Sequence, residues 1–153
     1  MIRLTCQLFA LAYFFIAVSC NSDTDESLEP IPIIVDDSLY LAAIDKPQAE
    51  FSIEKAEIEG DILNLTVSFL GGCKEHEFAL IAGTGYEKSN PPRAHVILTH
   101  DAREDTCTDK VSESLLFDLS PLKDFDPSGM GKFGVILIPL EGLAEPLRYE
   151  FSP

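Results

Sequence analysis

Basic residues are scarce in this sequence, which has 11 Lys and Arg against 26 Asp and Glu. Residues 1–19 contain one base, Arg3, and no acid, so residues 20–153 carry 10 basic and 26 acidic side chains and a formal charge of −16. Phosphate backbones and anionic lipid surfaces repel such a particle, which excludes nucleic acid as a partner. Hydrophobic residues still make up 46% of the chain, which is enough for one packed core.

The chain also lacks an apolar run long enough to remain in a membrane as a span. Its longest run, Leu8–Val18, has 11 residues, whereas a helix needs about 20 residues to cross a hydrocarbon core of about 30 Å. Arg3 precedes the run and the small residue Ser19 follows it. A charged start, a short apolar segment and a small exit residue are typical of a secretory signal. We therefore predict that residues 1–19 are a signal peptide.

Cys20 directly follows Ala17-Val18-Ser19, and this segment resembles the bacterial lipobox. The resemblance implies that the Cys20 thiol accepts a diacylglyceryl group and becomes the mature N-terminus. Two or more acyl chains hold a protein stably on a membrane, because each buried methylene contributes about 0.8 kcal/mol. We predict a lipid anchor at Cys20, and ordinary cleavage that leaves this thiol unmodified is the alternative.

Residues 20–30 are polar and acidic without apolar periodicity, which is typical of a solvated tether. Asp23, Asp25 and Glu26 lie within a few residues of Cys20. An acidic cluster in this position resembles the surface-export signal of lipoproteins in Bacteroidota-type bacteria. The resemblance implies an outer-membrane protein displayed on the cell surface, and a tether whose charge has no sorting role is the alternative.

Residues 31–153 are predicted to form one folded domain made of strands. From Leu63 to Phe69 apolar and polar residues alternate, which is the period of a half-buried strand. An alternating run before it slips in phase near Lys55, where we predict a β-bulge, and Glu59-Gly60-Asp61 predicts a hairpin turn. Further strands are predicted at 75–82, 94–100, 114–119, 133–140 and 147–151, with one helical turn at 120–126. About seven short strands favour an all-β fold, an immunoglobulin-like antiparallel β-sandwich.

The cysteine count narrows to two residues in this domain. Cys6 leaves with the signal peptide and Cys20 is used by the lipid, which leaves Cys73 and Cys107. Two thiols in an oxidising compartment are expected to pair. We therefore predict a Cys73–Cys107 disulfide, and free thiols or pairing with other chains are alternatives.

A metal site is the competing interpretation of the same region. Cys73, His76, His100 and Cys107 offer two thiols and two imidazoles, which suit zinc or copper. The two residues between Cys73 and His76 are a ligand spacing, but the six between His100 and Cys107 are a loose one. Each histidine shares a predicted strand face with apolar residues. Structural imidazoles beside a disulfide are therefore the leading prediction, with no metal and no cofactor.

Three segments of the chain carry a resemblance to a protein family. They are Gly71-Gly72-Cys73-Lys-Glu-His76-Glu-Phe78, then Leu98-Thr-His100-Asp101 with Asp105-Thr-Cys107, then Phe117-Asp-Leu-Ser-Pro-Leu122. Together they resemble a group of uncharacterised Bacteroidota lipoproteins and, more loosely, the C-terminal β-sandwich of NigD-like lipoproteins. The resemblance covers about a third of the chain and implies a location and a fold, with no activity.

The sequence contains no recognisable catalytic signature. It has no Gly-x-Ser-x-Gly elbow, and the neighbours His100 and Asp101 should point to opposite faces of a strand. We therefore predict a non-enzymatic, membrane-anchored envelope protein that binds an envelope partner or supports an assembly. Two alternatives are a metal-binding envelope protein and a small hydrolase or inhibitor.

Overall fold

A computed structural model describes residues 29–125 and 134–151 of the chain. The predicted signal peptide, Cys20 and the acidic residues Asp23, Asp25 and Glu26 lie outside these residues. Within them the chain forms, in order, β1 (Ile31–Pro32), β2 (Ile34–Val35), α1 (Asp37–Asp45), β3 (Ser52–Glu59), β4 (Ile62–Gly71), β5 (Glu77–Glu87), β6 (Arg93–Asp101), β7 (Asp109–Asp118), a 3-10 helix (Ser120–Phe125), β8 (Val135–Ile138) and β9 (Leu147–Glu150). No helix among the described residues is both long and apolar enough to span a membrane.

The strands form two sheets that share one hydrophobic core, which confirms the predicted all-β sandwich. One sheet has the order β1-β7-β4-β3 and the other has the order β2-β5-β6-β8-β9. The core contains buried side chains from both sheets: Leu63, Leu65, Val67, Phe69, Leu115 and Phe117 from the first, and Phe78, Leu80, Leu98, Ile136, Ile138 and Tyr149 from the second. Burial of apolar side chains between the sheets is the main force that holds them together.

The β3–β4 hairpin forms as its sequence predicts. Leu63, Leu65 and Val67 have no exposed surface, because the inward positions of a strand recur every second residue. The register shifts between Ile53 and Lys55, where the bulge was predicted. The turn passes through Gly60, whose φ of 59° lies in the left-handed region that glycine adopts without steric cost.

The sheets are mixed, although the sequence predicted antiparallel pairing throughout. β1 pairs parallel with β7, β2 pairs parallel with β5, and β6 contacts β8 in parallel. β1 and β2 belong to one segment that passes from the first sheet to the second at Ile33, whose side chain is buried. Strands of two residues have no periodicity that a sequence could display.

Helix α1 was not predicted, because it has nine residues and only Ala43 is buried. The carboxylate of Asp36 caps it by accepting a hydrogen bond from the Leu39 N–H at 2.8 Å. Asp37 fixes the helix to β5, since its carboxylate accepts the N–H of Thr84 at 2.7 Å and the hydroxyl of Thr84 at 2.6 Å. α1 therefore packs on the outer face of the second sheet.

Candidate functional site

The predicted disulfide joins two loops at one end of the sandwich. Cys73 follows β4 and Cys107 precedes β7, and these strands are neighbours whose register pairs Gly71 with Asp109. The pairing brings the loops together, so that the Cα atoms of the two cysteines are 5.9 Å apart and the sulfurs are bonded. The Cys73–Cys107 disulfide is therefore confirmed.

The carboxylate of Asp105 holds both disulfide loops from the inside. Its Oδ2 accepts the N–H groups of Cys73 at 2.9 Å and Lys74 at 3.0 Å, and its Oδ1 accepts the Cys107 N–H at 2.9 Å. Its side chain is only 1% exposed. The Cys107 N–H, followed by those of Lys74 and Cys73, holds the pKa of Asp105 far below its usual range. This carboxylate is therefore ionised and can only accept hydrogen bonds.

Asp105 was not predicted to have a role, although the sequence around it contains a local signal. An Asp side chain that accepts the N–H of the residue two positions later forms an Asx-turn. Asp105-Thr-Cys107 contains that spacing, and the Asp105–Cys107 contact has that form. The contacts with Cys73 and Lys74 cross 32 and 31 residues and have no sequence signature.

The two predicted site histidines contact each other rather than the sulfurs. His76 precedes β5 and His100 lies in β6, and both residues are buried. Nδ1 of His76 is 2.8 Å from Nε2 of His100. Nε2 of His76 is 3.3 Å from Oδ2 of Asp105, and Nδ1 of His100 is 3.1 Å from the carbonyl oxygen of Ala49. All four ring nitrogens are thus used inside the protein.

Aromatic rings hold the two imidazoles in place. Phe69 stacks on His76 and Phe78 stacks on His100, with ring centroids 4.3 Å apart in both pairs. Phe51 meets the His100 ring edge-on at 5.7 Å. These contacts agree with the prediction of structural imidazoles beside a disulfide, and they restrict rotation of both rings.

The geometry does not gather the four residues of the metal alternative around one centre. The sulfurs of Cys73 and Cys107 are bonded to each other. Among residues 29–125 and 134–151, the cluster of potential ligand atoms within 4.8 Å of one another joins these sulfurs with Asp105, not with a histidine. Two imidazole nitrogens on a tetrahedral zinc would lie about 3.3 Å apart, given zinc–nitrogen bonds of about 2.0–2.1 Å. The 2.8 Å separation of the histidine nitrogens is a hydrogen-bond distance instead.

His100 and Asp101 point to opposite faces of β6, as predicted. His100 is buried and Asp101 is exposed. The Asp101 carboxylate accepts the backbone N–H of Arg103 at 2.9 Å, so it stabilises the connection between β6 and β7. These two residues do not form a catalytic dyad.

A surface cleft lies beside the histidine pair. It has a volume of about 730 Å³ and is lined by the segment 48–53, by Ser68, Phe69 and Leu70 of β4, and by Lys110, Glu141 and Gly142. His100 supports one wall through its backbone. Its backbone N–H donates to Oε1 of Gln48 at 3.0 Å, and its carbonyl oxygen accepts the Ala49 N–H at 3.1 Å. The cleft combines aromatic and aliphatic surface with the carboxylates of Glu50 and Glu141.

No protein-family model and no curated protein matches the sequence. The fold resembles a solved protein of unknown function (DUF1344) from Bacteroides vulgatus, with 17% identity and a TM-score of 0.52 over 82% of this chain and 57% of that one. A toxin-related protein from Parabacteroides distasonis has 18% identity and a TM-score of 0.51 over 80% and 59%. A NigD-like immunity protein from Bacteroides caccae has 15% identity and a TM-score of 0.49 over 80% and 60%.

The chain spans less than two thirds of the length of each of these three proteins. Sequence identity is below 20% in every case, so the first two similarities establish the fold and nothing about activity. The three proteins come from species of Bacteroides and Parabacteroides.

Proposed function

We propose that this chain is a lipid-anchored envelope protein whose β-sandwich binds a partner protein without catalysing a reaction. The signal segment 1–19 and the lipobox-like Cys20 support the anchor, and the acidic cluster at Asp23, Asp25 and Glu26 supports display on the outer-membrane surface. The resemblance to Bacteroidota lipoproteins belongs to this proposal as well. Anchoring confines the domain near the membrane, where even a weak binding site meets its partner at high effective concentration.

The observation that carries the binding part of the proposal is the cleft between segment 48–53 and the end of β4. Its volume of about 730 Å³ is in the range of ligand sites, and apolar surface with a few polar groups is typical of them. Phe51, Phe69 and Leu70 supply the apolar surface. Lys110 also lines the cleft, but its Nζ pairs with the carboxylate of Glu54 at 3.1 Å. The carboxylates of Glu50 and Glu141 therefore favour a partner that presents a basic side chain beside an apolar one.

The hydrogen-bonded contacts of His76 and His100 behind the cleft support a role without catalysis. General acid–base catalysis requires a ring nitrogen that can reach a substrate. The ring nitrogens of His76 and His100 face Asp105, Ala49 and each other. The most distinctive titratable cluster of the described residues is therefore turned inward and stabilises the wall of the cleft.

Anchoring is tested by replacing Cys20 with alanine. Only a thiol accepts the diacylglyceryl group, so Cys20→Ala is expected to abolish labelling with radioactive palmitate and to shift the protein out of the membrane fraction. Cys6→Ala is the matched control, because Cys6 lies inside the predicted signal peptide and should leave both properties unchanged. A Cys20→Ala protein that is labelled and sediments with membranes like the parent would refute the anchor.

Binding at the cleft is tested by placing a photo-crosslinking amino acid at Leu70 in the producing cells. Leu70 is 61% exposed and lines the cleft. Asn64 is the matched control, since it is exposed, lies six residues earlier in β4 and is not among the cleft-lining residues. We expect a discrete crosslinked product from Leu70 and none from Asn64. Equal patterns from both positions would contradict the cleft as the binding site.

A further inference from the structure

The histidine pair lies within a continuous chain of polar contacts whose two ends can only accept hydrogen bonds. One end is the carboxylate of Asp105, which is ionised because three backbone N–H groups point at its oxygens. The other end is the carbonyl oxygen of Ala49, which carries no proton. Between them lie the four ring nitrogens of His76 and His100, at separations of 3.3, 2.8 and 3.1 Å along the chain.

Counting protons shows that two neutral imidazoles do not satisfy this chain. It contains three contacts, each between two electronegative atoms, and each needs one proton to be attractive. A neutral imidazole brings one N–H, so two neutral rings bring two protons. One contact would then join two lone pairs.

Each neutral arrangement places the mismatch at a different contact. If both rings donate outward, to Asp105 and Ala49, the unprotonated nitrogens face each other at 2.8 Å. If His76 donates to His100, its Nε2 lone pair faces the Asp105 carboxylate at 3.3 Å. If His100 donates to His76, its Nδ1 lone pair faces the carbonyl of Ala49 at 3.1 Å. Both rings are buried and stacked against phenylalanines, so neither can turn away to water.

We propose that His76 and His100 form a buried proton-binding site that holds one proton more than two neutral imidazoles, with the charge balanced by Asp105. The extra proton lies in the bond between Nδ1 of His76 and Nε2 of His100 and completes all three contacts. The 2.8 Å separation is a hydrogen-bond distance, whereas a metal ion between the same nitrogens would hold them about 3.3 Å apart.

The charges around the pair favour one added positive charge. Asp105 contacts His76 directly, and the carboxylates of Asp101 and Glu113 interact electrostatically with His100 and His76 respectively.

The nearby cations have other partners, because Lys74 donates to the carbonyls of Arg103 and Glu104, and Arg103 pairs with Glu77. Other charged residues on the surrounding elements are Lys46, which pairs with Asp101, and Glu50 and Glu75.

The site takes one proton and refuses a second. Burial lowers the pKa of His100 and so opposes charge on that ring, whereas the completed central contact and the Asp105 carboxylate favour one added proton. A second added proton would place two N–H groups against each other in the central contact. His95, the third histidine of the chain, belongs to a different part of β6 and takes no part in these contacts.

The sign of the pH dependence follows from comparing folded and unfolded chains. Below the ordinary histidine pKa of about 6.5, the unfolded chain binds two protons on these rings and the folded chain binds one, so stability from this site falls as pH decreases. Above that pH the unfolded chain binds none and the folded chain retains one, so stability falls as pH increases. The contribution of the pair to folding stability is therefore largest at about pH 6.5.

The proposal is tested first by counting protons on the folded protein. In the purified protein labelled with ¹⁵N-histidine, long-range ¹H–¹⁵N spectra at about pH 7.5 report the protonation of each ring nitrogen. We expect three protonated nitrogens among the four of His76 and His100, with His95→Gln used to assign and remove the third histidine. Two protonated nitrogens among the four would overturn the proposal.

A second measurement does not depend on any site variant folding. Calorimetric unfolding at about pH 8, in buffers of different ionisation enthalpy, gives the number of protons released. Wild type and His95→Gln are expected to release about one proton per molecule, while His76→Gln and His100→Gln, if folded, should release about one fewer. Wild-type unfolding without proton release would overturn the proposal. When the histidine pair loses its added proton at higher pH, the contacts between His100 and Ala49 should weaken. We therefore expect faster hydrogen exchange of the Ala49 amide above that pH.

Discussion

Replacing both Cys73 and Cys107 with alanine is expected to lower the free energy of unfolding by about 3–4 kcal/mol. The disulfide closes a loop across a sequence separation of 34 residues, and the unfolded chain loses the corresponding conformational freedom when the bond is present. The Cα separation of 5.9 Å lies within the usual range of about 4.4–6.8 Å for a disulfide, so the bond needs no rearrangement of the loops.

The native loops should survive this substitution. The carboxylate of Asp105 still accepts the backbone N–H groups of residues 73, 74 and 107, and these hydrogen bonds do not involve sulfur. Urea unfolding of the double variant, compared with the parent with and without a reducing agent, measures the loss. The reduced parent should behave like the double variant. Equal midpoints for the oxidised parent and the variant would show that the bond contributes no stability.

Gly71→Ala is expected to destabilise the protein by about 1–3 kcal/mol through overpacking. A Cβ atom at this position would lie 2.6 Å from both Cε1 and Nε2 of His76 and 3.1 Å from Oδ2 of Asp105. The imidazole has no free path away from it, because Phe69 stacks on one side of the ring and His100 bonds to its Nδ1. The ring must shift, and the hydrogen-bond chain must break at one contact.

Gly85→Ala provides the matched control for this prediction. Its Cβ would meet only Cδ2 of His95 at 3.7 Å, an ordinary van der Waals distance, and its φ is not in the left-handed region. Alanine there should leave stability unchanged or raise it by up to about 1 kcal/mol, because the unfolded chain loses freedom. Urea unfolding and the imidazole ¹⁵N shifts of both variants check the pair. A Gly71→Ala protein as stable as Gly85→Ala, with unmoved His76 signals, would contradict the close-contact argument.

Local patterns were sufficient for those parts of the fold in which neighbouring residues carry the signal. The alternation from Leu63 to Phe69 identified β4 and its buried face, and the phase slip near Lys55 located the bulge. The helical turn predicted at 120–126 is the 3-10 helix Ser120–Phe125, with residue 126 outside the described part of the chain. Each of these features depends on contacts that close within a few residues or within one hairpin.

The disulfide was predictable for a different reason. It followed from the number of cysteines left in an oxidising compartment, and this reasoning needed no geometry. Cys73 and Cys107 could also form a metal site together with His76 and His100. Composition could not decide between the disulfide and the metal site. The tertiary structure favours the disulfide, because Cys73 is bonded to Cys107 and Nδ1 of His76 lies against Nε2 of His100.

The chain's composition and short-range patterns thus indicated its longer strands and the inward face of β4, and they favoured a bond between its two domain cysteines. The tertiary structure alone decided the parallel pairings of β1 and β2, the role of Asp105 and the contact between His76 and His100. Those features join residues up to 86 positions apart, as in the register of Ile31 with Phe117. Contacts of this kind depend on how the sheets pack, and the protonation of a buried ring depends on which atoms that packing places beside it. No periodicity along the chain encodes either of them.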